Sequence, residues 1–332
     1  MLKLRRTQVK MTYRKLFIVG CSRSGTSWLK RMIGSHSDVL PVPKESHTYS
    51  LMYDRFTYFK NQKFKKRFRS VTSIKWIWMS YGLKPLLFGI ESEDLWQGIL
   101  KQYQIFQKGK DKIGFHNLVS YTELEELIAK VRYGSEDDLT KLRNLNKLMF
   151  DRFWEQNGGT EKNILLEKTP NHWRYIDVIL NQFPEAKSIE IIRDGRDVCV
   201  SYQARGKTAR WAKQSTKTVA ATWKKAIKKV ERVKGDSEIG NRIYSVRYEN
   251  LRTHPQEELS KIFDFIGLDY DNTLINEIID ATDISKVKNK GEGKHICKGS
   301  IGEWQTRLSP EDIALWQELA GDTLAYLGYT LP

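Results

Sequence analysis

The sequence predicts an α/β fold, a central mainly parallel sheet flanked by helices, with a helical insertion. Three observations carry that prediction. Apolar runs at Leu16–Val19, Asn163–Leu166 and Ser188–Ile192 read as short strands buried on both faces, and Arg242–Arg247 resembles a further strand. Each leads through polar residues into a helical pattern, and alternation of this kind implies parallel strands joined by crossovers. No internal repeat or low-complexity linker divides the 332 residues, so a single domain, 1–332, is expected.

In chain order, the first strand runs into a Gly/Ser-rich turn and then a helix marked by Trp28, Leu29, Met32 and Ile33. Residues from about 46 to 160 carry charged helical patterns and basic aromatic stretches with little strand signal. They read as a helical insertion lying over the carboxyl ends of the strands, on the acceptor side, where open α/β sheets bind ligands. Val219, Trp223, Ile227 and Val230 form one stripe of an amphipathic helix with a lysine-rich outer face. A helix is expected around Leu259, Ile262, Phe263 and Ile266. Another starts at Ser309-Pro310-Glu311-Asp312, with a cap, a proline in the first turn and early acids.

The formal net charge is +16, from 56 Lys+Arg against 40 Asp+Glu. The surplus is concentrated. Residues 55–90 hold nine bases and no acid, and residues 205–234 hold eleven bases and one acid, leaving the remainder at −3. Such a balance points to anionic partners: nucleic acid, a membrane surface, or phosphate- and sulfate-bearing small molecules. Cys21, Cys199 and Cys297 are too widely spaced for a zinc site and odd in number, which favours a reducing, cytoplasmic setting. The basic start MLKLRRTQVKMTYR lacks a following apolar segment, so no secretory signal is expected. Val71–Ile90 is interrupted by Lys75, Lys84 and Pro85 and falls short of the roughly 20 apolar residues a spanning helix needs.

Chemistry begins at Gly20–Ser27, G-C-S-R-S-G-T-S. Both glycines of a nucleotide-binding GxxxxGK[ST] loop are present, but Thr26 stands in place of the lysine. Backbone N–H groups at a helix N-terminus, with the hydroxyls of Ser24, Thr26 and Ser27, make a cradle for an anion. A plain Gly/Ser turn into a helix would share these residues. Arg193 follows an apolar strand, at the end where such ligands sit, and Ser201 lies about two helical turns farther on. A guanidinium and a hydroxyl so placed can hold one phosphate dianion, although Arg193-Asp194-Gly195-Arg196-Asp197 also reads as a surface charge cluster.

Four segments in order, GCSRSGTSWL, IEIIRDGRDVCVSY, VRYENLRTHP and CKGSIGEWQ, resemble the sulfotransferases that use 3′-phosphoadenosine-5′-phosphosulfate (PAPS). The likeness is to the arginine-loop, bacterial-type branch related to glycosaminoglycan and tyrosyl-protein sulfotransferases. It implies the P-loop-like sulfotransferase fold, PAPS as donor, 3′-phosphoadenosine 5′-phosphate (PAP) as product, and no metal. It places Arg23, Ser24, Gly25, Thr26, Ser27 and Trp28 at the 5′ side of the donor. Arg193 and Ser201 would hold the 3′-phosphate, Tyr248 would lie near the adenine, and Lys298 and Gly299 would close over the phosphate. Cys297 stands where the family usually has arginine, with Lys294 or Arg307 as the candidate replacement.

Transfer to an alcohol needs a base and cations for the developing charge. The small-molecule branch has a Lys-Thr-His motif; here Lys168-Thr169-Pro170 follows instead, and proline cannot act as a base. PKESH resembles the Lys-Glu-x-His segment of glycosaminoglycan sulfotransferases. That resemblance assigns Glu45 as base, Lys168 and Arg23 as electrostatic stabilisers, and His47, with His172, to the acceptor side.

The expected function is therefore sulfuryl transfer from PAPS to a hydroxyl of a small-molecule, lipid or glycan acceptor by in-line displacement. Nucleic acid is not an expected partner, residues 55–90 are a candidate contact with an anionic surface, and oligomeric state is left open. Two rivals stay in view: a P-loop kinase using ATP, which Thr26 disfavours, and a non-enzymatic protein binding polyanions or membrane surfaces.

Overall fold

The computed structural model describes residues 13–52, 92–109, 112–159, 162–286 and 300–330. Strand β1 (Arg14–Val19) leads through the Gly/Ser loop to helix α1 (Thr26–Gly34) and then β2 (Val39–Pro41). Helices α2 (Ser92–Gln107), α3 (Tyr121–Arg132) and α4 (Asp138–Gln156) precede β3 (Ile164–Lys168). Then come α5 (Ile176–Gln182), β4 (Lys187–Ile192), α6 (Gly195–Gly206), α7 (Thr216–Lys234) and β5 (Ile243–Arg247). The chain continues through α8 (Tyr248–Thr253), α9 (Pro255–Ile266), α10 (Asn272–Thr282), α11 (Trp304–Arg307) and α12 (Pro310–Tyr326).

Among the described residues the sheet has five strands in the order β2-β3-β1-β4-β5, every neighbouring pair parallel. All four apolar runs expected to be strands are present. The three-residue β2 is additional: it is short and ends in Pro41, which an edge strand tolerates and periodicity does not detect. Strand β1 is buried on both faces, with Phe17 and Val19 packed into one apolar cluster and Leu16 and Ile18 into another. That two-sided burial is why its sequence is continuously apolar rather than alternating.

Helix starts follow local chemistry. Ser120 and Glu123 form a reciprocal capping box on α3, and Ser309 Oγ accepts from Asp312 N at 3.2 Å at the start of α12. The α7 stripe of Val219, Trp223, Ile227 and Val230 is buried as its spacing predicts. Three of its lysines are engaged with neighbouring helices: Lys224 and Lys228 pair with Asp322 of α12, and Lys229 with Asp177 of α5. No helix among the described residues is long and apolar enough to cross a membrane. The basic segment 55–90, with Lys294, Cys297, Lys298 and Gly299, lies outside the described residues.

The parallel arrangement brings the carboxyl ends of four strands to one edge. There β1 delivers the Gly20 loop, β3 ends in Lys168, β4 is followed by Arg193 and β5 by Tyr248. This is the edge at which open α/β sheets bind ligands.

On β4, Glu190 is completely buried, with Ser245 of the adjacent β5 donating to its Oε2 at 2.8 Å and no partner on Oε1. Burial pushes its carboxyl up to about 8, so it is protonated at neutral pH. In the unfolded chain the same group ionises in the ordinary carboxylate range. The folded state therefore binds the extra proton between those two values, and stability falls as pH rises through that window. The thermal midpoint should drop between about pH 5 and about pH 8.5. Glu190→Gln, which cannot ionise, should flatten that drop and melt no lower than the parent protein at the alkaline end.

Candidate active site

The loop after β1 is shaped by two glycines that no other residue can replace without displacement. A Cβ on Gly20 (φ 144°) would lie 2.6 Å from the Ile191 carbonyl oxygen, and one on Gly25 (φ 100°) 2.6 Å from the Tyr248 ring. Between them Arg23 takes the left-handed conformation at φ 78°. Gly20 N–H donates to Pro170 O at 3.2 Å, tying the loop to the end of β3, and Ser24 N–H turns back to Cys21 O at 3.1 Å. Gly25 then caps α1 without a side chain, so the first-turn N–H groups of Thr26 and Ser27 are those a helix cannot satisfy internally.

Arg23, Gly25, Thr26, Ser27 and Trp28 line a cavity of about 420 Å³, and Arg193, Ser201 and Tyr248 line the same cavity. Arg23 Nε donates to Ser201 Oγ at 3.0 Å, and the Arg23 carbonyl accepts from Arg193 Nη1 at 3.3 Å. The guanidinium of Arg193 lies 4.6 Å from the Tyr248 ring centroid and donates through Nη2 to Ser300 O at 2.9 Å. Its Nε is buried with no partner. Trp28 meets Tyr248 edge to face at 5.8 Å.

The charge cluster 193–197 is not a surface feature. Arg193, Asp194, Arg196 and Asp197 are all buried. Asp194 caps α6 and holds Arg196 through 3.0 and 2.8 Å contacts, while Arg196 lies 3.6 Å from the Trp304 ring centroid. Asp197 accepts from the N–H groups of Gly302 and Trp304 at 2.8 and 3.0 Å. The cluster thus fastens the segment beginning at Ser300 beside Arg193.

Glu45 and His47 line the same cavity. Lys168 Nζ lies 2.6 Å from Glu45 Oε1, and His47 Nε2 lies 2.9 Å from Glu45 Oε2. Lys168 is 4% exposed, so this ion pair is largely shielded from water. Burial pushes the Glu45 carboxyl up, but the His47 hydrogen bond and the Lys168 charge outweigh it and hold the group at about 2.

Three residues stand elsewhere than expected. His172, assigned to the acceptor side, is completely buried, with Nδ1 3.1 Å from Glu167 Oε2 and its ring edge to face with Tyr49. Pro170 starts a tight helical turn through Tyr175 that carries the imidazole inward, away from the cavity. Ser24 is 1% exposed and sits behind the cavity wall. Arg307 is exposed on α11 and does not line the cavity. The cavity wall also includes Asn171, Arg205 and Trp211, which sequence reading did not single out. Arg205 and Trp211 belong to the basic stretch 205–234, but only the fold brings that stretch to the loop after β1.

The arrangement offers an anion cradle with two guanidiniums and several hydroxyls, and in the same cavity a carboxylate, Glu45, paired with Lys168, which is not itself a lining residue. The fold is shared with solved sulfotransferase domains. A domain from the Synechococcus PCC 7002 olefin synthase superposes with a TM-score of 0.51 at 17% identity, covering 96% of each chain. One from the curacin biosynthetic pathway gives 0.51 at 16%, covering 96% of this chain and 98% of that one. Nodulation protein NoeE of Sinorhizobium fredii is 25% identical over 190 residues, a match spanning 51% of this chain and under half, 45%, of that protein. Residues 15–272 match the model of the sulfotransferase family, which includes the loop, Glu45, Lys168, Arg193, Ser201 and Tyr248, and the chain belongs to that family.

Proposed function

We propose that the protein transfers a sulfuryl group from PAPS to a hydroxyl of a small-molecule or glycan acceptor by in-line displacement. One observation carries the reading. A single cavity is lined both by Arg23, Thr26, Ser27, Arg193 and Ser201 of the anion cradle and by Glu45 and His47. Its volume of about 420 Å³ falls within the usual range for small-molecule sites.

The residues suit this donor. Arg193 carries a buried, unpartnered Nε beside the cavity, an unmet need that a phosphate oxygen satisfies. Ser201 and Arg23 are already in contact, so one anion can engage both. Trp28 and Tyr248 supply the aromatic surface for a purine. When bound, PAPS supplies the sulfuryl group and a phosphate leaving group. Arg23 stabilises charge on the leaving side, and Glu45 accepts the acceptor's hydroxyl proton with His47 orienting it.

A carboxylate held at about 2 is a weak base. The Lys168 contact is part of that restraint, so its loss would raise the basicity of Glu45.

By calorimetry, PAP should bind without magnesium and more tightly than ATP. Arg193→Ala should weaken PAP by roughly 10- to 100-fold, the usual scale for a charge-assisted contact. Equal affinity for ATP would refute the donor assignment. Glu45→Gln should abolish formation of PAP from PAPS across a panel of hydroxyl acceptors while leaving PAP affinity within about twofold of the parent. Near-parental turnover by that variant would remove Glu45 from the mechanism.

A further inference from the structure

We propose that Glu167 is a positioning residue that holds segment 45–47 in register with Lys168 and the donor loop. The proposal rests on the assignment of Glu45 and Lys168 made above.

Glu167 is 1% exposed at the carboxyl end of β3. Its Oε1 accepts from Ser46 N at 3.2 Å, Ser46 Oγ at 2.8 Å and Thr169 Oγ1 at 2.6 Å. Its Oε2 faces His172 Nδ1 at 3.1 Å. A carboxylate only accepts, so the proton lies on that nitrogen. Burial pushes the Glu167 carboxyl up, but His172 and the hydroxyl donors outweigh it and hold it at about 2, so it is an anion throughout the working range.

What these bonds fix is the backbone around the base. Ser46 N belongs to the peptide that joins Glu45 to Ser46. Thr169 Oγ1, while donating to Glu167, also accepts from His47 N at 3.3 Å. Two consecutive peptide groups beside Glu45 are therefore tied, directly and through one hydroxyl, to a single buried carboxylate. His47 occupies the left-handed region at φ 51°, a conformation a β-carbon disfavours and that persists where surrounding contacts over-determine it. That turn places its imidazole against Glu45.

The same stretch of chain reaches the other parts of the site. Lys168 adjoins Glu167, and its ammonium meets Glu45 Oε1. Two residues on, Pro170 O accepts from Gly20 N at the start of the donor loop. Residues 167–170 thus join base, lysine and anion cradle, and Glu167 bonds across to the base segment together with Lys168 and Thr169. His172 closes the back of this network, which accounts for its burial. Displacement of catalytic groups by about 1 Å can lower rates on the order of 100-fold, so such a brace acts on turnover rather than on donor binding.

The test uses Thr169→Val, Thr169→Ser and Glu167→Gln in the full chain. Three quantities are read: PAP affinity by calorimetry, PAP formed from PAPS with 4-nitrophenol or water as acceptor, and the His47 imidazole signal by NMR. His47→Gln assigns the signal, and Glu45→Gln shows how far it moves when the direct contact is lost. Thr169→Val and Glu167→Gln should keep PAP affinity within about twofold, lower transfer roughly 10- to 100-fold, and shift the His47 signal. Thr169→Ser should restore both transfer and signal. An unmoved His47 signal in both Thr169→Val and Glu167→Gln overturns the proposal, as does parallel loss of PAP affinity and transfer. If Glu167→Gln does not fold, the Thr169 pair decides alone. Near-parental transfer by Glu45→Gln would instead sink the base assignment while the NMR readout still judged the brace, so the two failures are distinguishable.

Discussion

The site depends on the absence of a side chain at Gly20 and Gly25. The loop after β1 runs so close to the Ile191 carbonyl and the Tyr248 ring that a β-carbon at either glycine would collide with them. This contact sets the distance between the donor loop and the ends of β4 and β5. Arg193 is two residues beyond Ile191, and Tyr248 opens the helix after β5, so both are brought to the loop by the same close approach. Arg23 then meets Ser201 with a normal hydrogen bond. Relaxing the contact would move every cation of the cradle away from its neighbours at once.

Around that contact the protein buries an unusual amount of charge. Arg193, Arg196, Asp194, Asp197, Glu167 and Lys168 are all at or below 6% exposure. Taking such groups out of water costs more than simple pairing returns, so buried ion pairs are poor devices for stability alone. Their placement here follows the site. Asp197 and Arg193 fasten the segment at 300–304, Glu167 fastens the segment at 45–47, and Lys168 pairs with Glu45 of the second segment.

Much of this was legible in the sequence because the elements obey local rules. The strand β1 is apolar throughout because both faces are covered, and the stripe on α7 has helical spacing because one face packs. Arg193 and Ser201 could be paired from their eight-residue separation across the end of a strand and the helix that follows it. What stayed hidden depends on non-local geometry. The short β2 has too few residues for a period, and the burial of His172 follows from a tight turn after Pro170 that its composition does not announce. Arg205 and Trp211 reach the cavity only through the packing of α6 and the loop beyond it. Glu167 was visible as a letter beside Lys168, but its role lies in bonds to Ser46 and His172, which are separated from each other by more than a hundred residues.

The basic surplus illustrates the same distinction between composition and position. Residues 205–234 carry ten net positive charges, yet Lys224, Lys228 and Lys229 of α7 bind acids of α12 and α5 and Lys234 binds Glu231 within its own helix. Lys224, Lys228 and Lys229 hold α7 to its neighbouring helices. Exposed charge beyond a screening length of about 8 Å has little purchase on a bound ligand and acts mainly on the rate of encounter. Retention falls instead to buried cations with fixed geometry. Arg193 is the strongest example, because two carbonyls, an aromatic face and Asp197 orient its guanidinium while its Nε is left without a partner. A fork held in place before the anion arrives loses little entropy on binding, and one such residue outweighs several mobile lysines.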